Sequence, residues 1–408
     1  MKIIIYGINY APEEVGIGKY SSELAEWLAL NGNDIKVVTA CSYYPNWQVK
    51  TNKYYRETIN LVDVYRCPIW VPKKPSGLKR LIHLASFALT SFPIIFSLTK
   101  YKADVIILVA PSLFCAPGTI IFKSLSNKTK NWIHIQDYEL DAAFELGLLK
   151  GKSLRNIALY LERKMLARFD RISTISHSMY NFALGKNLKK EKLILFPNWV
   201  DTKLIINQKS EKDQENPYLK ELNIKKSDLV IMYSGTMSEK QGLNILPTII
   251  KHFKKVPDIY WLLAGEGPFK DYLIEKLRDQ ENTKILPLQP KEKFNDWINL
   301  ADIHLLPQRK GADGLVLPSK VLAILASGKP FVTSSSKNSD LGKIAEKAGI
   351  RVIPENANEF IGAIEKLVEN KELRSKLGEK GRKLAKSLFE KEKILSQISK
   401  DLNNLIKN

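Results

Sequence analysis

Short apolar runs rich in β-branched residues recur along this chain with helical patterns between them, and the series occurs twice. In the first series, residues 2–6, 35–39, 104–109, 132–136 and 171–175 read as strands. Residues 18–30 carry Tyr20, Leu24, Trp27 and Leu28 at helical spacing and stop at Asn31 and Gly32, a helix-end signal. Residues 142–149 and 154–169 also read as helices. Strands alternating with helices at this spacing form βαβ units, whose right-handed crossovers build a parallel, doubly wound sheet.

The series pauses over residues 205–228, which are polar and charged, contain Pro217 and show no apolar period. It then restarts with strands at 229–233, 259–263, 284–287, 303–305 and 331–333, and helices from Gly242, Phe269, Lys291 and Ser319. The expected organisation is an N-terminal α/β domain over 1–200, a linker over 201–228 and a second α/β domain over 229–385. A lysine-rich amphipathic stretch begins near Glu372, and a helical tail over 386–408 is expected to pack back on the first domain. Ligands of such sheets bind beyond the carboxyl ends of the strands, so a cleft between two facing domains is the expected site.

Charge narrows the partners. The chain has 63 Lys and Arg against 43 Asp and Glu, a net +20, and residues 1–200 hold 27 of the basic groups against 15 acidic ones. Such a surface attracts anions. No block of five or six like charges and no arginine-rich arm occurs, which argues against nucleic acid. Cys41, Cys67 and Cys115 are odd in number and lack C-x-x-C spacing, so reduced thiols and a cytoplasmic location are expected. Residues 81–98 carry no Asp, Glu, Lys or Arg and follow Lys73, Lys74, Lys79 and Arg80. Their length lies at the lower edge for a membrane span, and His83, four serines and threonines, and Pro93 lower the hydrophobicity. The expectation is a largely buried helix broken at Pro93; the alternatives are a spanning helix and one lying at a membrane interface.

Several loops can carry chemistry. Pro318-Ser319-Lys320 opens an apolar helix that Gly328-Lys329-Pro330 closes. Unpaired N–H groups and the dipole at a helix start attract anions, and Ser319 and Lys320 add a donor and a charge. Gly235, Thr236 and Lys240 repeat the strand–loop–helix design, as do Gly265 with Gly267, and Arg309 and Lys310 follow another strand. By topology these loops share one sheet edge, where together they suit a diphosphate. The first strand leads to Gly16, Gly18 and Tyr20, without G-x-G-x-x-G spacing and without an acidic residue ending the second strand, which disfavours a nicotinamide dinucleotide. No P-loop, no strict Asp-x-Asp and no His/Cys cluster occurs, so neither a P-loop ATPase nor a catalytic metal is expected.

These loops, with the hinge-like segment from Pro197 to Asp201, resemble the retaining nucleotide-sugar glycosyltransferases that include sucrose and mannosyl transferases. The resemblance covers essentially the whole chain and implies a GT-B fold, two Rossmann-like parallel-sheet domains facing a central cleft. Tyr43-Tyr44-Pro45-Asn46-Trp47, Arg66-Cys67-Pro68, the run from Phe114 to Gly118, the run from Ile133 to Tyr138, and Glu239-Lys240-Gln241-Gly242 are similar to the colanic-acid biosynthesis subfamily. That similarity implies transfer of a sugar, with GDP-fucose a candidate donor, to a lipid-linked oligosaccharide in exopolysaccharide or capsule biosynthesis. It further implies a nucleotide diphosphosugar as co-substrate, no other cofactor, no metal, and a cytoplasmic enzyme held peripherally at the inner face of a bacterial plasma membrane.

On that resemblance Gly235, Thr236, Lys240, Gly265, Arg309, Lys310, Ser319 and Lys320 hold the donor diphosphate and nucleotide. Gly16, Gly18 and Tyr20 face the cleft. Asp137 serves the acceptor hydroxyl, with His134 as second choice; the other reading of Asp137 is a helix N-cap. The sequence departs from the family where Thr236 replaces an arginine and Ala323 replaces a glutamate that contacts the donor sugar. Arg309 or Lys310 is the expected substitute charge. The basic cluster Arg66, Lys73, Lys74, Lys79 and Arg80 is expected at an anionic membrane surface. Two other readings remain at this point: a nucleotide-sugar epimerase of similar fold, and a catalytically degenerate partner subunit.

Overall fold

The computed structural model describes residues 1–13, 16–44, 47–73, 77–111, 113–126, 128–138, 140–141, 144, 151–207, 216–256, 258–311 and 317–407. The chain forms two units, Met1–Asn198 joined by Ile394–Asn408, and Trp199–Lys393.

The first unit holds strands β1 (Lys2–Gly7), β2 (Asp34–Ala40), β3 (Tyr55–Ile59), β4 (Val62–Cys67), β5 (Val105–Ala110), β6 (Lys130–Ile135), β7 (Arg171–Thr174) and β8 (Leu193–Leu195). Its helices are α1 (Ile17–Leu30), α2 (Gly77–Ser97), α3 (Ala116–Leu125), α4 (Lys152–Leu166) and α5 (His177–Gly185). The sheet runs β3-β4-β2-β1-β5-β6-β7-β8. All pairs are parallel except β3 with β4. Central strands such as β1 and β5 are covered on both faces, which is why Ile3, Ile4, Ile5 and the run Val105 to Val109 are all buried. The strand order reverses between β1 and β5, so the loops that follow those strands diverge there and leave a crevice.

Three features of this unit depart from expectation. The β3–β4 hairpin is absent from the sequence reading because β3 is largely exposed and its residues alternate charge rather than apolarity. Its turn places Asn60 and Leu61 at positive φ, 47° and 69°, without the glycine that usually signals such a turn. Helix α2 is not broken at Pro93: it runs unbroken to Ser97 and is largely exposed on one side. The carbonyl that Pro93 leaves without an N–H partner belongs to Leu89, whose residue faces solvent, so water can take it. Arg66 is not a surface charge. It is 1% exposed and donates to Glu57 at 2.7 Å, to the Ala40 carbonyl at 3.2 Å and to the Ala11 carbonyl. The helix read over 142–149 lies outside the described residues apart from Phe144, and Lys74 lies outside them too.

The second unit holds β9 (Leu229–Ser234), β10 (Ile259–Ala264), β11 (Thr283–Leu286), β12 (Ile303–Leu306), β13 (Phe331–Ser334) and β14 (Ile350–Val352). These form one parallel sheet in the order β11-β10-β9-β12-β13-β14. Its helices are α6 (Pro217–Glu221), α7 (Leu246–His252), α8 (Lys270–Leu277), α9 (Phe294–Leu300), α10 (Lys320–Ser327), α11 (Asp340–Ala348), α12 (Ala357–Glu369) and α13 (Lys371–Leu388). Helix α14 (Lys391–Lys407) follows, and most of it belongs to the first unit.

The described part of 201–228 is packed structure rather than free linker. Tyr218, Leu222 and Ile224 are buried with Val230, Leu262 and Trp297. The stretch after Trp199 is pinned to the end of α13: Val200 N–H donates to the Phe389 carbonyl at 2.8 Å, and Arg382 donates to the carbonyls of Thr202 (2.7 Å) and Ile205 (2.5 Å). Within the segment, Asp201 Oδ1 accepts from the Lys203 and Leu204 N–H groups at 2.9 and 3.1 Å, and Asn216 Nδ2 donates to the Asp296 carbonyl at 2.7 Å. Residues 208–215 lie outside the described set.

Candidate functional site

In the second unit the strand order reverses between β9 and β12, so the loops after these strands flank a crevice at the carboxyl edge. Three loops there are pressed backbone to backbone. Gly235 N–H donates to the Ala264 carbonyl (2.9 Å), Met237 N–H to that of Glu266 (2.8 Å), and Arg309 N–H to that of Lys240 (3.1 Å). A Cβ on Gly265 would overlap the Gly235 carbonyl oxygen, and one on Gly242 would lie 2.8 Å from the Gln308 carbonyl carbon. Gly242 also needs its φ of 60°. Glycine at these two points is therefore what lets the loops close.

Lys320, the first residue of α10, reaches into this cradle. Its ammonium donates to Gln241 Oε1 at 2.8 Å and to Tyr233 Oη at 3.2 Å, and it sits 4.2 Å from the Tyr233 ring centroid. Tyr233 Oη itself donates to the Thr236 carbonyl at 2.6 Å, so it receives the lysine proton as an acceptor. A Cβ on Gly235 would lie 3.3 Å from Lys320 Nζ, which places the cation directly on the β9 loop. Among the described residues no carboxylate pairs with Lys320. Desolvation pulls its pKa from 10.5 down to about 7. A partly buried cation held by an amide, a phenol and a ring, beside a helix N-terminus, is an electrostatic vacancy for an anion.

The other predicted donor residues fall around it. Lys240 lies in the turn Glu239–Gln241 and is exposed, next to the Gln241 that holds Lys320. Arg309 is exposed but engaged, by Glu239 and at 3.8 Å by Glu355. Lys310 and Thr236 are exposed; Thr236 contributes its carbonyl. Ser319 is the N-cap residue of α10 and makes no side-chain capping bond, leaving its hydroxyl available. Ala323 is packed, partly buried, against the α10 core and offers no polar contact. Residues 312–316, which lead into this site, lie outside the described set.

Sequence reasoning missed Tyr233 and Gln241, the two side chains that hold Lys320, and Gln308. Gln308 N–H donates to Ser334 Oγ at 2.8 Å, while its buried Oε1 has no partner among the described residues. Neither Tyr233, near the end of β9, nor Gln241, directly after Lys240, carries a local mark of that role, which depends on Lys320.

The first unit's candidate residues are arranged differently. His134 is 3% exposed; its ring nitrogens contact Ser173 Oγ at 2.9 Å and Gln136 Nε2 at 3.0 Å, and Gln136 continues to Asn198 at 3.1 Å. Burial lowers its pKa to about 3, so it is a neutral strand residue in a buried polar chain, not a group that presents itself to an acceptor. Asp137 follows β6, is partly buried and lines a cavity of about 20 Å³ with Leu113, Tyr138, Glu162 and Leu166, room for roughly one water. Tyr20 does not face outward: it is 5% exposed, because it shares with Leu24 and Leu28 the stripe of α1 that packs on the sheet.

Gly16 is the N-cap of α1 with φ 59°, and space around it is open. A Cβ on Gly18 would lie 2.6 Å from the Glu13 carbonyl oxygen. Glu13, which sequence reasoning also missed, ties two loops together. Its buried carboxylate accepts from Tyr43 N–H and Tyr44 N–H, each at 2.9 Å, and from Asn9 Nδ2 at 2.7 Å. Burial pushes its pKa up against those bonds, which pull it down. Among the described residues no group of three or more His, Cys, Asp or Glu side chains is placed to hold a metal.

Known proteins match both halves. The model for "Glycosyl transferases group 1" matches residues 214–384, and that for "Glycosyl transferase 4-like domain" matches residues 15–199. A putative colanic acid biosynthesis glycosyl transferase, WcaI of Escherichia coli, is 39% identical over 98% of this chain and 100% of that protein. The N-acetyl-alpha-D-glucosaminyl L-malate synthase of Bacillus anthracis is 22% identical over 97% of this chain and 96% of its own. Among solved structures, sucrose-phosphate synthase from Thermosynechococcus elongatus superposes with TM-score 0.77 at 16% identity, covering all of both chains. Anabaena HepE in complex with UDP-glucose does so with TM-score 0.70 at 14% identity, over 99% of this chain and 100% of that one.

Proposed function

The chain belongs to the group 1 glycosyl transferases and is a glycosyltransferase of GT-B fold; from that premise we propose that it moves a sugar, with retention of configuration, from a nucleotide diphosphosugar to a lipid-linked oligosaccharide in exopolysaccharide assembly. The observation that carries this reading is Lys320, a desolvated cation that no carboxylate among the described residues pairs, set at the α10 N-terminus against the Gly235 loop. As the bond from the sugar to the diphosphate breaks, negative charge grows on the leaving oxygen. Lys320, the α10 dipole and the exposed Lys240 stabilise that charge, which is the task a divalent cation performs elsewhere. The reaction then proceeds without metal and without a cofactor beyond its co-substrate. Arg309, held by Glu239 and Glu355, is oriented rather than free, and supplies the positive charge that Thr236 does not.

On the acceptor side Asp137 orients or deprotonates the attacking hydroxyl. His134 stands behind it as a buried support for Gln136. The acceptor's lipid places the enzyme at the cytoplasmic face of the plasma membrane as a peripheral protein. The relative from Escherichia coli, named for colanic acid biosynthesis, supports that class of product. HepE, solved with UDP-glucose, supports a nucleotide sugar as the donor class, and GDP-fucose is the first donor to try.

The test is a thermal-shift screen against UDP, GDP, ADP and dTDP, followed by assay of nucleotide release from the matching sugar nucleotides with and without EDTA. One diphosphate should stabilise the protein, and release should survive EDTA. Stabilisation by none of the four, or release that only Mg²⁺ or Mn²⁺ restores, would contradict the reading. The anomeric coupling in the product's proton spectrum decides retention.

A further inference from the structure

Three loops of the first unit meet at one edge of its sheet. Strands β1, β2 and β4 are parallel neighbours, so the loops that follow them leave the sheet on the same side. Asn9 and Glu13 follow β1, Tyr43, Tyr44 and Trp47 follow β2, and Trp70 follows β4. Glu13 holds the second loop through the Tyr43 and Tyr44 N–H groups, and Gln48 N–H closes that loop by donating to the Tyr43 carbonyl at 3.2 Å. Within this closure Trp47 is kept at φ 53°, a left-handed conformation that a bulky side chain adopts only when its surroundings impose it.

The rings gather on His83 of α2. Tyr43 meets it edge-on at 4.7 Å between centroids, Trp47 lies at 5.3 Å, and Tyr43 and Trp47 are 5.6 Å apart. His83 Nδ1 is 2.7 Å from the Trp70 carbonyl, which can only accept, so Nδ1 carries the proton and Nε2 is left as an acceptor. Nε2 is buried and has no partner among the described residues, and burial lowers the ring's pKa, so it stays neutral. A cluster made only for packing satisfies its polar atoms. Outward from this base, Tyr44 and Trp47 are partly exposed, Trp70 is 45% exposed and Arg80 is exposed. Burial raises the pKa values of Tyr43 and Tyr44, and the nearby Arg80, which no carboxylate among the described residues pairs, lowers them.

We propose that Trp47, Tyr44 and Arg80 form a subsite for a pyranose of the acceptor other than the ring that is attacked. The C–H face of a pyranose is apolar and its rim carries hydroxyls, so an indole beneath it and a guanidinium and a phenol at its edge match it. Arg80 repels the cationic ligands that aromatic clusters otherwise hold. Asp137 follows β6, three strands from β2 and about 14 Å away at the spacing of neighbouring strands. That is more than one sugar ring, so a pyranose on Trp47 is not the ring at Asp137. The subsite therefore sets which oligosaccharide is accepted rather than how fast it reacts. The inference rests on the oligosaccharide acceptor proposed above, and it gives Arg80, expected at a membrane surface, to that acceptor.

Saturation-transfer NMR of the full chain with the methyl pyranosides of glucose, galactose, mannose and fucose tests this. At least one should bind, with saturation strongest on the C–H protons of one ring face. Trp47→Leu should weaken that binding about tenfold or more, while Trp47→Phe should keep most of it, because stacking needs an aromatic face and not only bulk. Arg80→Gln should weaken it about fivefold. Arg80 is exposed, so this variant tests the subsite even where a change at Trp47 loosens the loop. Urea midpoints equal to wild type show that the fold is intact. No pyranoside bound by wild type, binding that Trp47→Leu leaves unchanged, equal loss in Trp47→Phe and Trp47→Leu, or displacement of the sugar by uridine or guanosine would overturn the proposal. Pyranoside binding as stated, with sugar transferred to no lipid-linked oligosaccharide, would instead refute the acceptor reading and leave the sugar subsite standing.

Discussion

The carboxyl edges of the two sheets are built by opposite means. In the second unit the edge is made of backbone: glycine loops locked to one another, with Lys320 laid across them. In the first unit it is made of side chains already engaged in the fold, Glu13 clasping Tyr43 and Tyr44, and His134 and Gln136 chained to Ser173 and Asn198. A backbone cradle with a cation that no described carboxylate pairs fits a ligand part that does not vary, a diphosphate. A side-chain edge can be re-specified residue by residue, as an acceptor site must be if one fold is to serve many acceptors. The contrast supports the proposed division, with donor chemistry in the second unit and acceptor chemistry in the first.

The largest effect should separate the two edges at Asp137. If its carboxylate acts as a base, Asp137→Asn should lower kcat about 10²- to 10⁴-fold with donor binding unchanged, because an amide can cap a helix but cannot take a proton. Full activity in that variant leaves only the cap.

Next is Lys320→Ala, expected to reduce kcat/KM by about 2–3 kcal/mol of transition-state stabilisation, the scale of a preorganised charge. Wild-type kinetics would detach Lys320 from the diphosphate.

Gly265→Ala should destabilise the second unit by roughly 1–3 kcal/mol, as overpacking does, since its Cβ meets the Gly235 carbonyl. A denaturant midpoint equal to wild type would mean that the loops are not locked.

The smallest effect is common to both units. His134 in the first and His304 in the second are buried and neutral, each with its pKa lowered from 6.5 to about 3. Between those values the unfolded chain binds a proton that the folded chain refuses, so stability falls as pH drops below 6.5. Each histidine should cost about 2 kcal/mol by pH 5. Lys320 adds the same slope between about 7 and 10.5, where stability rises with pH. Urea midpoints at pH 5, 7 and 9 measure both windows, and His134→Gln should flatten the acid one.

Legibility in the sequence followed the same division. Parallel strands covered on both faces must be apolar throughout, so β1, β5, β9 and β10 stood out as runs. Strand β3, exposed and charged, did not, and α6 was hidden in a polar stretch because only Tyr218 of that short helix is buried. The residues proposed for the donor stood out because glycine, lysine and a helix start each leave a local mark. Gln241 and Tyr233 were not, since their role depends on Lys320 arriving from 79 and 87 residues away. Tyr20 misled because a residue next to a glycine loop can still face the core. The burial of Glu162 in α4 was not legible either: apolar spacing reveals a stripe but not which way it points, and here Glu162 is buried and bound to Lys186.

The central claim is that Lys320 is the diphosphate's cation. Because burial holds its pKa near 7, it is largely neutral at pH 8, and a bound diphosphate must draw a proton onto it. Calorimetric titration with UDP and with GDP at pH 8, in buffers of different ionisation enthalpy, reads that proton directly. The account predicts uptake approaching about one proton per diphosphate bound, with uptake and most of the affinity lost in Lys320→Met. Binding without proton uptake, equally tight in Lys320→Met, would contradict it.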